Sequence, residues 1–114
     1  MSIDKVAIDA SPLISLFKSQ QADILPQLFS EIVVSDAVWE EVTETKDDRA
    51  AVELPQVDWV SRKATVAVPE AIASWDLGKG ETSVLSFALA NRDYWAVVDD
   101  ARARRAARTL GITT

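Results

Sequence analysis

KVAIDASPLI, residues 5–14, is the stretch on which the reading of the fold turns. Val6, Ala7 and Ile8 read as a short apolar strand that stops on a carboxylate, Asp9. Ser11 and Pro12 follow, and then a new apolar run of Leu13, Ile14, Leu16 and Phe17. Proline suits a first helical turn, where its missing N–H would be unpaired anyway, and Ser11 is the expected N-cap. The break between strand and helix therefore falls at Asp9. In open α/β sheets ligands gather beyond the carboxyl ends of strands, so an acid there is a candidate site residue, against the simpler reading of a solvated turn aspartate.

Working outward, apolar residues at 13, 14, 16 and 17 have helical spacing, and 22–29 reads as a second short helix containing Pro26. Ile32, Val33 and Val34 form a β-branched strand, after which Ser35 or Asp36 is placed to cap a helix holding Val38, Trp39 and Val42. The charged stretch 43–55 reads as an exposed helix end and loop. Val57, Trp59 and Val60 suggest an edge strand, and 69–75 a small helix. Beyond Gly78 and Gly80, Val84, Leu85, Ala88 and Leu89 make a clear helical stripe. A compact strand over 94–98 runs into Asp99 and Asp100. The next helix has Ala103, Ala106, Ala107 and Leu110 on one side, with Gly111 as its stop and a further strand expected from Ile112. Strands alternating with helices predict one α/β domain over 1–114, with a mostly parallel central sheet flanked by helices in three layers.

Composition narrows the chemistry. The 114 residues include no Cys and no His, which removes thiol nucleophiles, histidine triads, His or Cys zinc sites and disulfides. Carboxylates remain. No basic segment leads into a long apolar run and none approaches membrane-spanning length, so no signal peptide or membrane helix is expected and the cytoplasm is the default location. A net charge of −6 argues against holding nucleic acid by bulk electrostatics. The charge is uneven, however: ARARRAARTL, 101–110, carries Arg102, Arg104, Arg105 and Arg108 without an acid, leaving room for a local basic face.

The acids recur at element ends. Asp9 follows one strand, Glu40 and Glu41 lie in the helix after another, Glu81 opens a helix, and Asp99 and Asp100 follow the last strand. Glu81 precedes Val84 and Leu85 by three and four residues, which puts it on the core side of its helix, although an acid there also suits the helix dipole. Glu41 adjoins the Val38–Val42 stripe, whereas Glu40 is expected to point outward. An apolar strand running into two consecutive carboxylates suggests a cation or a donor-rich partner, or an N-cap by Asp100. Convergence of these acids would favour the hard cations Mg²⁺ or Mn²⁺. Such ions would suit in-line attack on a phosphodiester, with the arginines of 102–108 on backbone phosphates outside the pocket.

Four pieces, IDASPLISL at 8–16, VSDAVWEEV at 34–42, GKGETSVLSFALA at 78–90 and VVDDARARRAARTLGI at 97–112, give the chain a pattern that resembles the PIN-domain family of metal-dependent nucleases, in family order and spacing. The resemblance implies a PIN-like fold and a Mg²⁺- or Mn²⁺-dependent ribonuclease, with RNA as substrate. A role as a toxin of a toxin–antitoxin pair, with an antitoxin protein as partner, is part of what it implies. It makes Asp9 the first metal-binding acid, Glu41 an acid that orients a second ion or the attacking water, and Glu81 the acid opening the central helix. The last acid is Asp99 or Asp100: counting back from Leu110 and Gly111 favours Asp100, while strand geometry leaves Asp99 open. Ser11, Arg102, Arg104 and Arg105 are the expected nucleic-acid contacts. Glu81 stands where many family members have Asp. Family members usually continue past the LGI strand with another strand and helix, and the lack of that segment here would leave an edge inviting dimerisation.

A different class of reading is a non-catalytic interaction protein, in which Trp39, Trp59, Trp75 and Trp95 are contact residues rather than core. A phospho-accepting receiver domain shares the acids at strand ends. It requires a lysine at the end of a late strand, and this sequence has none there.

Overall fold

The computed structural model describes residues 5–44 and 48–114. Strands β1 (Lys5–Ile8), β2 (Glu31–Ser35), β3 (Val60–Lys63) and β4 (Trp95–Val97) form one all-parallel sheet in the order β3-β2-β1-β4. Parallel neighbours need crossovers, and helices supply them. These are α1 (Ala10–Lys18), α2 (Ile24–Leu28), α3 (Asp36–Glu44), α4 (Arg49–Glu53), α5 (Glu70–Ala73), α6 (Lys79–Ala90) and α7 (Ala101–Thr109), flanking the sheet in three layers. The predicted α/β class is thus the observed one. Among the described residues, no helix is long and apolar enough to cross a membrane.

β1 is the centre. Val6 pairs with Ile32 of β2 and with Trp95 of β4, and Ala7 pairs with Val33 and Ala96. Val6, Ala7 and Ile8 are all buried, as a strand covered on both faces requires. The chain leaves β1 toward β2 on one side, while β4 lies on the other, having been reached by a crossover from the far edge at β3. The connections therefore diverge between β1 and β4. That divergence opens a crevice at the carboxyl ends of the two strands.

Several expectations need correction. Ser11 is not the N-cap of α1. The helix begins at Ala10, and Asp9 caps it, its Oδ1 accepting the Ala10 N–H at 2.8 Å. Pro12 still falls in the first turn, where it displaces no helical hydrogen bond. The stretch 43–55 is less of a loop than its charge suggested. Residues 45–47 lie outside the described ones, but α4 and the 3₁₀ turn Leu54–Gln56 bury Ala50 and Leu54 completely. Apolar residues inside a charged stretch were the signal for that. No strand starts at Ile112 among the described residues; one bond, from the Ala96 N–H to the Thr113 carbonyl at 2.8 Å, lies alongside β4. Gly111 does stop α7, at a left-handed φ of 74°. All four tryptophans are half-buried against the core, with Trp59 stacked on Phe17.

Candidate active site

Asp9 is fixed from two directions. Its N–H extends the β1–β4 ladder by donating to the Val97 carbonyl at 3.0 Å, and its carboxylate caps α1. Only 5 % of its surface is exposed. The local fold thus holds a carboxylate in the crevice, with one oxygen tied to backbone.

Three further acids meet it there. Asp9, Glu41, Glu81 and Asp99 line a single pocket together with Ser11, Gly78, Lys79 and Gly80. They come from the end of β1, from α3, from the first turn of α6 and from the turn after β4. Glu41 faces the pocket while Glu40 pairs outside with Lys79 at 4.0 Å, the division expected from the helical stripe. Glu81 accepts the Gly78 N–H at 3.3 Å, which steadies it over its own helix start. Ser11, freed from capping, donates to Asp99 Oδ2 at 3.0 Å. Asp100 instead caps α7, accepting the Ala103 N–H at 3.0 Å. Asp99 is therefore the residue of the pair that lines the pocket with Asp9, while Asp100 stands beside Glu81.

The electrostatic consequence is visible in Asp9. Burial pushes its carboxyl up to about 6, the Ala10 N–H works against this, and the charges of Glu81, Glu41 and Asp99 add to the rise. The Glu81 carboxyl is raised too, by burial first and then by Asp100. Clustered carboxylates raise one another's pKa when too little positive charge offsets them, and Lys79 is the single cation among the described lining residues. An all-oxygen donor set of this charge suits a hard divalent cation. Among the described residues no three acids stand together in a ligating arrangement. The fit accordingly rests on donor chemistry and charge.

Two features of the site carried no signal at their own positions. A β-carbon on Gly80 would lie 2.9 Å from Asp9 Oδ1 and 3.0 Å from Glu41 Oε1. The glycine that reads as a helix boundary is the clearance that lets two carboxylates reach the same point. Behind it, the Ser35 and Ser83 hydroxyls bond at 2.7 Å. Ser83 also donates to the Gly80 carbonyl at 2.7 Å, and Ser35 accepts the Val38 N–H at 3.2 Å. The Ser83 proton being committed to Gly80, Ser35 donates to Ser83. This buried chain ties the start of α3, which carries Glu41, to the start of α6, which carries Glu81. Ser35→Ala strips a cap and leaves Ser83 short of a donor, and is expected to cost about 2 kcal/mol of stability. Urea unfolding checks it; a loss below about 0.5 kcal/mol, ordinary for a surface change, would remove the network from this role.

The expected basic face is divided. Arg104 and Arg105 are exposed on α7, but Arg102 donates to the Trp75 carbonyl and thereby ties α7 to the end of α5. A family model described as PIN domain matches residues 5–114. Neither the comparison with curated proteins nor that with solved structures gave a match.

Proposed function

Given that the chain belongs to the PIN-domain family, whose members are in general nucleases, we propose that it is a Mg²⁺- or Mn²⁺-dependent endoribonuclease that hydrolyses RNA phosphodiester bonds in the cytoplasm. The observation that supports this most is the meeting of Asp9, Glu41, Glu81 and Asp99, from four separate elements, in one pocket at the carboxyl end of a parallel sheet. Bound by Asp9, Glu81 and Asp99, with Asp100 beside them, a divalent cation would offset phosphate charge and lower the pKa of a water.

The chain's own groups then divide the work. Asp9 offers a carboxylate whose direction is fixed by the Ala10 N–H, so it need not reorganise when substrate arrives. Ser11 holds Asp99 in place. Glu41, exposed at the mouth and facing Asp9 across Gly80, is placed to orient the attacking water and take its proton. Arg104 and Arg105 supply charge for backbone phosphates away from the cut.

The test is cleavage of labelled single-stranded and structured RNAs, with DNA as a control, in Mg²⁺, Mn²⁺ or EDTA. Chelator-sensitive RNA cleavage is expected, reduced at least about a hundredfold by Asp9→Asn. Undiminished cleavage by the variant would overturn the assignment of Asp9, and the absence of cleavage by the wild-type protein would overturn the ribonuclease reading.

A further inference from the structure

Lys79 occupies a singular place. It is the first residue of α6, flanked by Gly78 and Gly80, and it lines both the carboxylate pocket and a second, adjoining cleft formed by Ala37, Glu40, Glu41, Thr43 and Glu44 of α3. It is the single cation among the described residues lining either. Its tether is slight: the ammonium stands 4.0 Å from Glu40 Oε2, with the two side chains 82 % and 64 % exposed. An exposed pair at that distance is weak and screened by salt. Two other cations are more closely engaged, Arg62 by Asp36 at 2.6 Å and by the Trp39 ring, and Arg92 by the Gly111 carbonyl at 2.9 Å.

A polyanion approaching this pocket meets carboxylates on nearly every side. We propose that Lys79 is the phosphate-contacting residue that admits the RNA backbone, its ammonium exchanging Glu40 for a phosphate on the ridge between the two clefts. Glu40 is then an internal competitor for the same ammonium. The inference rests on the ribonuclease reading above, and the ligand class is the phosphodiester backbone itself, independent of base sequence. A lysine in this role acts as a mobile point charge, which its long stem and exposure allow.

The test is equilibrium binding, so it does not depend on turnover. Fluorescence anisotropy of a short labelled single-stranded RNA with phosphorothioate linkages is followed in Mn²⁺ over a series of salt concentrations. Lys79→Ala is expected to weaken binding about 5- to 10-fold at low salt for every sequence tried. It should also flatten the log–log salt slope by about 0.7, the share of one phosphate on a single strand. Lys79→Arg should keep both. Glu40→Gln should tighten binding about twofold, but only while Lys79 is present. Unchanged affinity and slope in Lys79→Ala, or equal tightening by Glu40→Gln without Lys79, overturns the proposal. Wild-type protein that binds none of the RNAs overturns it together with the RNA reading. Lys79-dependent binding by a protein that cleaves none of the unmodified RNAs sustains it and overturns only the hydrolytic reading.

Discussion

Asp9→Asn is expected to make the metal-free protein more stable at neutral pH, by about 2 kcal/mol, in the same substitution that removes its activity. The carboxyl is pushed up to about 6 in the folded chain from an ordinary 3.8. The folded state therefore binds more protons than the unfolded one between those values. Stability from this group is full below pH 3.8 and declines as pH rises through 6, so at pH 7.5 the ionised Asp9 is a burden on the fold. Asparagine keeps an Oδ1 for the Ala10 N–H and discards the charge. Chemical denaturation in EDTA at several pH values measures this. The wild type should lose stability from pH 4 to pH 7 relative to the variant, and the two curves should converge toward the acid end. Added Mn²⁺ should stabilise the wild type and leave the variant where it was. A variant less stable than wild type at pH 7.5 in EDTA would mean that the carboxylate is satisfied in ways its neighbours do not suggest.

Gly80→Ala should separate folding from activity in the opposite manner. In an ordinary helix the change gains up to about 1 kcal/mol. Here the new methyl group would meet Asp9 Oδ1 at 2.9 Å and Glu41 Oε1 at 3.0 Å. Glu41 is exposed and can swing aside, but Asp9 is buried and tied to the start of α1, so the pocket distorts there. Stability in EDTA should change by less than about 1 kcal/mol, propensity and crowding opposing each other. Cleavage should fall at least about a hundredfold, as misplacement of a reacting group by about an ångström does, and stabilisation by Mn²⁺ should vanish with it. Full activity in a folded Gly80→Ala protein would show that Asp9 and Glu41 need not share that space.

How much of this was legible follows from the range over which each feature is encoded. β1 and Asp9 are local: an apolar run ending on an acid is visible in five consecutive residues. The stripe Val84, Leu85, Ala88 and Leu89 made α6 equally plain, and with it the position of Glu81. The choice between Asp99 and Asp100 was not legible, because adjacent residues share a sequence context and only the backbone turn directs one to the pocket and the other to the Ala103 N–H. The cap of α1 is hidden for a related reason: Asp9 and Ser11 are both good caps, and the β1–β4 ladder, a long-range pairing, decides where α1 begins. Ser35 and Ser83 lie 48 residues apart, and nothing near either announces the other. Arg102 looked like its neighbours in a basic run until the Trp75 carbonyl claimed it.

The place of β4 beside β1 has a meaning for the life of the chain before it is folded. The Ser11–Asp99 bond spans 88 positions, and among the described residues β4 pairs with no other strand than β1. Synthesis runs from the amino end, so a ribosome-bound chain can assemble β1, β2 and β3 while two of the four acids lining the pocket, Glu81 and Asp99, have not yet been made. Closing so long a loop is also among the slower events in folding. The carboxylate pocket is thus a late product of maturation, and a half-made chain lacks the acids that would complete it.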